Sequence, residues 1–322
     1  MSDLRFDGRV AVITGAGHTL GRAYALDLAA RGASVVVNDL GCDPNGYGSS
    51  REPADAVVSE IIAAGGKAVA NYDTVATRAG GQAVIDTAMK AFGRVDIVIS
   101  NAGILRNAPF EDMTDEQIDG VMGTHLMGAF YVCQPAYRIM KQQGYGRFVI
   151  VCSASGLYGN VWQANYAAAK AGLAGLVHSI AIEGKPHGIL ANGLLPTSAT
   201  RLGARPDEWP SDFGAEAAND YPVITDTMKP EFVMPMVSWL SSEQCTTTHG
   251  LYSATAARYA RVFVGAAEGW LAPRGSAVRA EDIGAHLKEI EDTSRFIQPH
   301  SVFQEFTPIA AAIRKAQQAG GK

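Results

Sequence analysis

The 322 residues carry 27 Lys and Arg against 32 Asp and Glu, a net charge of −5. No basic run or stripe appears, which argues against a nucleic-acid partner. With 47% hydrophobic and 18% charged residues, the composition is that of a folded globular chain. No apolar run approaches the roughly 18 residues of a membrane span. Cys42, Cys133, Cys152 and Cys245 are scattered, without CxxC or metal spacing. They read as reduced, buried thiols, and no metal site is expected. Residues 1–10 do not resemble a signal peptide, and the terminal Gly-Gly-Lys is no peroxisomal address. Cytoplasm is the expected location.

Residues 9–14 (RVAVIT) are apolar and β-branched, the pattern of a buried strand. They enter the turn Gly15-Ala16-Gly17-His18-Thr19-Leu20-Gly21, and residues 22–31 have helical periodicity. Residues 33–38 (ASVVVN) predict a second strand ending at Asp39. Strand, glycine turn, helix, strand and acid form a dinucleotide-binding signature. The glycines let the backbone approach a pyrophosphate, which sits at the positive helix N-terminus. An acid at Asp39 accepts hydrogen bonds from the adenosine ribose and repels a 2′-phosphate, which argues for NAD over NADP. The bland alternatives are a plain tight turn and a loop acid.

Residues 41–53 form a polar, glycine-rich loop, long for its position. A helix is expected over 54–64 and a third strand over 67–71, followed by Asp73. Asp73 suits the adenine amino group or a helix N-cap equally. A helix over 77–92 precedes a strand over 95–100, which leads into Asn101-Ala102-Gly103. Thr114 caps a long helix reaching about 143, broken by glycines. Residues 147–152 predict a strand, and 188–195 another that ends in Pro196. Strands alternating with helices make a doubly wound α/β parallel sheet, with a binding crevice at the carboxyl ends of its strands. Residues 197–227 suit a lid or a plain surface loop. A short helix over 230–240, a last strand over 249–254, an edge strand within 258–270, and helices over 279–293 and 308–317 complete the chain. No stretch has linker composition. One domain over 1–254 is expected, with 255–322 as an extension packed on it.

The chemistry concentrates in 153–170. Tyr166 and Lys170 are four residues apart in an Ala-rich helical run, hence on one face. Ser153 ends the strand over 147–152 and can meet that face. A tyrosine normally titrates near 10, and a nearby ammonium lowers that value. The phenol then serves as a proton shuttle, with the serine holding the substrate oxygen. Surface Tyr/Lys pairs at this spacing are common, so the placement of the other candidates at strand ends carries the argument.

These residues resemble the short-chain dehydrogenase/reductase family over roughly 1–250. The matching positions are 14–21, 101–103, Ser153, Tyr166, Lys170 and 192–196. GRAYAL (21–26), VVVNDLG (35–41), NAGILR (101–106) and YGNVWQANYAAAKAGLAGL (158–176) look like the (3R)-hydroxyacyl-CoA dehydrogenase part of peroxisomal multifunctional enzyme type 2. The resemblance implies a Rossmann-type fold, a homo-oligomer and NAD as cofactor. It makes Tyr166 the acid/base, Ser153 the holder of the substrate oxygen, and Lys170 the residue that tunes the phenol and holds the nicotinamide ribose. Gly15, Gly17, Thr19, Leu20 and Gly21 would face the pyrophosphate, and Asp39 the adenosine ribose. Asp73 and Thr74 would face the adenine, Asn101, Ala102 and Gly103 the adjoining ribose, and Pro196 and Thr200 the nicotinamide. Two departures stand out. Thr19 replaces a family glycine, and His125 replaces an asparagine that supports a proton-relay water. The bland reading of His125 is a packing histidine. The implied activity is oxidation of a (3R)-3-hydroxyacyl-CoA. A steroid 17β-alcohol, or an NAD-binding protein acting through partner contacts, are the alternatives.

Overall fold

The computed structural model describes residues 3–200, 222–273, 275 and 277–320. It divides into two compact units, Met1–Arg261 and Val262–Lys322. The first carries an eight-stranded sheet in the order β3-β2-β1-β4-β5-β6-β7-β8. Its strands are β1 (Val10–Thr14), β2 (Ser34–Asn38), β3 (Lys67–Asn71), β4 (Ile97–Ser100), β5 (Gly146–Val151), β6 (Ile189–Thr197), β7 (Gly250–Thr255) and β8 (Arg258–Val262). β1 to β7 are parallel, with Val12 opposite Val36 on one side and Val98 on the other. Every residue of β1 and β5 is buried, as expected of strands covered by helices on both faces. β8 follows β7 through Ala256 and Ala257, both at positive φ (51° and 60°). That is the geometry of a two-residue hairpin turn, and it carries the unit past the expected boundary at 254.

The helices are α1 (Thr19–Ala30), α2 (Glu52–Ala63), α3 (Arg78–Phe92), α4 (Asp115–Met122), α5 (Gly128–Gln143), α6 (Ser155–Tyr158), α7 (Ala164–Gly184) and α8 (Met234–Ser241), the last within the 230–240 expected of a short helix and one residue beyond it. The Thr77 side chain caps α3 by accepting from Gly80 N. Thr114 and Gln117 form a capping box on α4. Gly93 and Gly144 end α3 and α5 in the left-handed conformation. The glycines expected to break the helix after Thr114 do not break it. Gly123–Met127 is a π-turn joining α4 to α5, and both flanking glycines keep right-handed helical angles. Among the described residues no helix is long and apolar enough to cross a membrane.

Cys133, Cys152 and Cys245 are buried, whereas Cys42 is half-buried because it lies in the 41–53 loop rather than the core. Most of the segment 197–227 falls on 201–221, outside the described residues.

The second unit pairs β9 (Ala266–Ala267) with β10 (Phe296–Ile297), antiparallel. Of the strand expected within 258–270, the two ends thus belong to different sheets. The helix expected over 279–293 is two shorter ones, Ala280–Ala285 and Leu287–Ile290. His286 separates them and stacks on Trp270 with centroids 4.1 Å apart. The last helix, Val302–Gly320, begins earlier than the expected start at 308 and includes Pro308.

Candidate active site

A cavity of about 610 Å³ opens at the carboxyl ends of the strands. The sheet order reverses at β1, where the loops after β1 and β4 leave to opposite sides, the usual ligand crevice of such sheets. Of the expected cofactor-site residues, Gly15, Thr19, Leu20, Gly21, Asp39, Asp73, Thr74, Asn101, Ala102, Gly103, Pro196 and Thr200 line it. Ser153, Tyr166, Lys170 and His125 line it too. Gly17 does not. It stands behind the wall and donates its amide to Asp39 Oδ2 at 2.7 Å. A Cβ on Gly17 would lie 2.8 Å from that oxygen, so glycine is required there.

The cofactor half is held by backbone-directed polar side chains. Thr14 Oγ1 accepts from the amides of Asn101 (3.0 Å) and Ala102 (3.1 Å). Asn101 Nδ2 returns hydrogen bonds to the Thr14 and Gly15 carbonyls. This clasp joins the β1 and β4 loops, and a Cβ at Gly15 would reach within 2.8 Å of Ala102 Cα. Asp39 is buried at the end of β2. Its Oδ1 accepts from the Gly41 amide at 2.8 Å. Asp73 accepts from Asn71 Nδ2 at 2.7 Å, and the cap of α3 is Thr77 rather than Asp73.

A dinucleotide fits these residues. The residue before α1, His18, places no side-chain cap on the helix, so the first-turn amides are open to an anion. Thr19 opens α1 at φ 36°, a left-handed conformation that costs a non-glycine residue strain. The family's glycine at this position has a backbone reason.

In the catalytic half, α7 presents Tyr166 and Lys170 toward the end of β5. Asn165 anchors the start of that helix by donating to the Arg106 and Gln117 carbonyls, both at 3.0 Å. Burial pushes the Tyr166 phenol above its ordinary value, and the opposing pull of its Ser153 hydrogen bond is smaller. The expected lowering by Lys170 is absent. The Lys170 ammonium instead donates to the Val151 carbonyl at 2.5 Å and lies 5.5 Å from the Tyr166 ring centroid. Burial lowers the lysine itself from 10.5 to about 8.

His125 sits on the π-turn, whose extra residue re-aims the side chain inward. Its Nε2 lies 2.8 Å from the Ile104 carbonyl and 3.1 Å from the Ile104 amide. Nδ1 is buried without a hydrogen-bond partner. Burial, then the nearby Lys170 charge, lower its pKa to about 3, so the ring is neutral. A Cβ on Gly103 would collide with this imidazole.

Several site residues lay outside the sequence expectations. Asn165 is adjacent to an expected residue, Tyr166, and that adjacency is its only signal. Arg106 lines the cavity. It donates to the carbonyls of Asn45 and Glu116, both at 2.8 Å, and packs over the Tyr47 ring. Tyr47 in turn donates to Glu116 at 2.8 Å, so the 41–53 loop is fastened beside the cavity. Asn160 and Gln163 also line the wall.

The comparisons with known proteins give the family. A model of the short chain dehydrogenase family matches residues 9–205. The chain is 40% identical to peroxisomal multifunctional enzyme type 2 of Mus musculus over 99% of its own length, and it spans 41% of that protein. It is 43% identical to a short-chain type dehydrogenase/reductase of Mycobacterium tuberculosis, covering 89% of this chain and 95% of that one. A hydroxyacyl-CoA dehydrogenase of the same organism is 37% identical, covering 76% of this chain and 75% of that one. The solved full-length peroxisomal multifunctional enzyme type 2 of Drosophila melanogaster superposes with a TM-score of 0.78 at 32% identity, over 97% of this chain and 50% of that one. The chain belongs to the short-chain dehydrogenase/reductase family, oxidoreductases that act on CH–OH groups and use NAD or NADP.

Proposed function

We propose that this protein oxidises a (3R)-3-hydroxyacyl-CoA to the 3-oxoacyl-CoA with NAD. The observation that carries the reading is the convergence of Ser153, Tyr166 and Lys170 on the cavity that Asp39 also lines. Asp39 would hold the adenosine ribose and repel a 2′-phosphate. Asp73 and Thr74 would face the adenine, the α1 amides the pyrophosphate, and Asn101 with Lys170 the inner riboses. The bound cofactor supplies the hydride acceptor.

Ser153 would hold the substrate oxygen while Tyr166 takes its proton. A buried phenol stays neutral, so Tyr166 takes the alcohol's proton only as it hands its own hydroxyl proton on. Lys170, with its pKa near 8, can exchange a proton at working pH. The unpartnered Nδ1 of His125 suits the support of a relay water beside it.

The hydroxyacyl-CoA class is supported by the likeness to the mycobacterial hydroxyacyl-CoA dehydrogenase. NADH formation with a medium-chain (3R)-3-hydroxyacyl-CoA and with a 17β-hydroxysteroid tests it. A kcat/KM much larger for the thioester is expected, and the reverse ranking would put the ring alcohol first. The same reading includes a homo-oligomer. It is supported by exposed apolar side chains on the helices after Thr114 and on α7, namely Ile118, Met127, Phe130 and Ile182. Analytical ultracentrifugation checks it, and a monomer at micromolar concentration would refute it.

A further inference from the structure

We infer that Gln163 is a specificity-determining residue whose amide N–H donates to the thioester carbonyl of the substrate, two carbons from the reacting alcohol. This rests on the hydroxyacyl-CoA reading above and names the group that would select that class.

The orientation of Gln163 follows from its neighbours. The Asn160 side-chain oxygen accepts from the Val161 amide at 3.0 Å. Its NH₂ therefore faces the other way, and it donates to Gln163 Oε1 at 2.8 Å. An amide whose oxygen is held on one side presents its NH₂ on the other. Gln163 is 4% exposed, and its Nε2 makes no hydrogen bond with any described residue. That nitrogen is not sealed off from solvent, and the space open to it is the cavity that Gln163 lines.

The backbone gives a second, independent sign. Trp162 has φ 58°, an outlier for a bulky residue that marks strain held for a reason. The strained residue turns the chain just before Gln163, whose own angles (φ −118°, ψ 32°) lead into α7. Gln163 precedes Tyr166 by three positions. Gln163 is the residue just before α7, and Tyr166 lies in the first turn of that helix. A donor and a phenol so placed match two oxygens in a 1,3-relationship, the pattern of a 3-hydroxyacyl thioester. A ring alcohol with no second oxygen nearby would leave the donor unpaired. Sites built around such a donor discriminate strongly against ligands that lack the acceptor.

The test compares a (3R)-3-hydroxyacyl-CoA with the matching S-(3-hydroxyalkyl)-CoA thioether, in which CH₂ replaces the carbonyl. NADH formation is measured for wild type, Gln163→Glu and Gln163→Leu. The glutamate is isosteric and still accepts from Asn160, but when ionised it has no proton to donate. The wild type is expected to prefer the thioester by at least about tenfold in kcat/KM, one hydrogen bond's worth of discrimination. Both variants should bring that preference to near unity. A wild type that oxidises both compounds equally, or variants that keep the preference, would overturn the assignment while leaving hydroxyacyl-CoA oxidation intact. A wild type inactive on the thioester would overturn the functional reading itself, and this assignment with it.

Discussion

The imidazole of His125 stands edge-on to the ring of Tyr166, with centroids 5.1 Å apart and planes at 88°. A neutral histidine can hold that position beside Lys170, whereas a charged one would place two cations in one buried pocket. Depression of its pKa from 6.5 to about 3 makes this a statement about stability. The folded state resists protonation that the unfolded chain accepts freely below 6.5. Stability from this group is therefore complete above about 6.5 and is lost as pH falls toward 3. At pH 5 the loss is about 2 kcal/mol. His125→Asn should flatten the dependence of stability on pH between 6.5 and 5, measured by urea unfolding at several pH values. An unchanged slope would place the titration elsewhere.

Thr19 holds a left-handed backbone, which costs on the order of 1–3 kcal/mol for a residue with a side chain. Thr19→Gly removes that strain and adds about 0.5–1 kcal/mol of unfolded-state entropy. A net gain of about 1 kcal/mol is expected, raising the melting temperature by about 2 °C. A lower melting temperature would show that the threonine side chain contributes more than its backbone costs.

Asp39 places both carboxylate oxygens on backbone amides, those of Gly17 and Gly41. Asp39→Asn keeps an acceptor for the glycine turn but removes the charge proposed to face the adenosine ribose. The preference for NAD over NADP, as a ratio of kcat/KM values, should fall at least about tenfold, equal to ~1.4 kcal/mol of relieved repulsion. An unaltered ratio would reject this role for the acid.

Much of this was legible because its signals are local. β3 runs from Lys67 to Asn71 as its apolar run indicates. Thr114 caps the helix that follows it, and the glycine turn and Asp39 meet at adjoining strand ends. Features set by packing were not legible. Spacing puts Lys170 on the same helix face as Tyr166, but it cannot show that the Val151 carbonyl claims the ammonium. The π-turn that carries His125 inward has the composition of an ordinary glycine-containing helix. The orientation of Gln163 depends on Asn160, a loop residue with no periodic pattern to mark it.

The central claim is that Tyr166 moves the proton in an alcohol dehydrogenation at this cavity. Tyr166→Phe removes the hydroxyl alone, so NAD binding, followed by tryptophan fluorescence, should stay within about threefold of wild type, less than ~1 kcal/mol. NADH formation from the preferred substrate should fall about 10²–10⁴-fold, the usual contribution of a positioned acid/base. That pairing of retained cofactor affinity and lost turnover is the predicted result. Turnover within a few-fold of wild type would contradict the account.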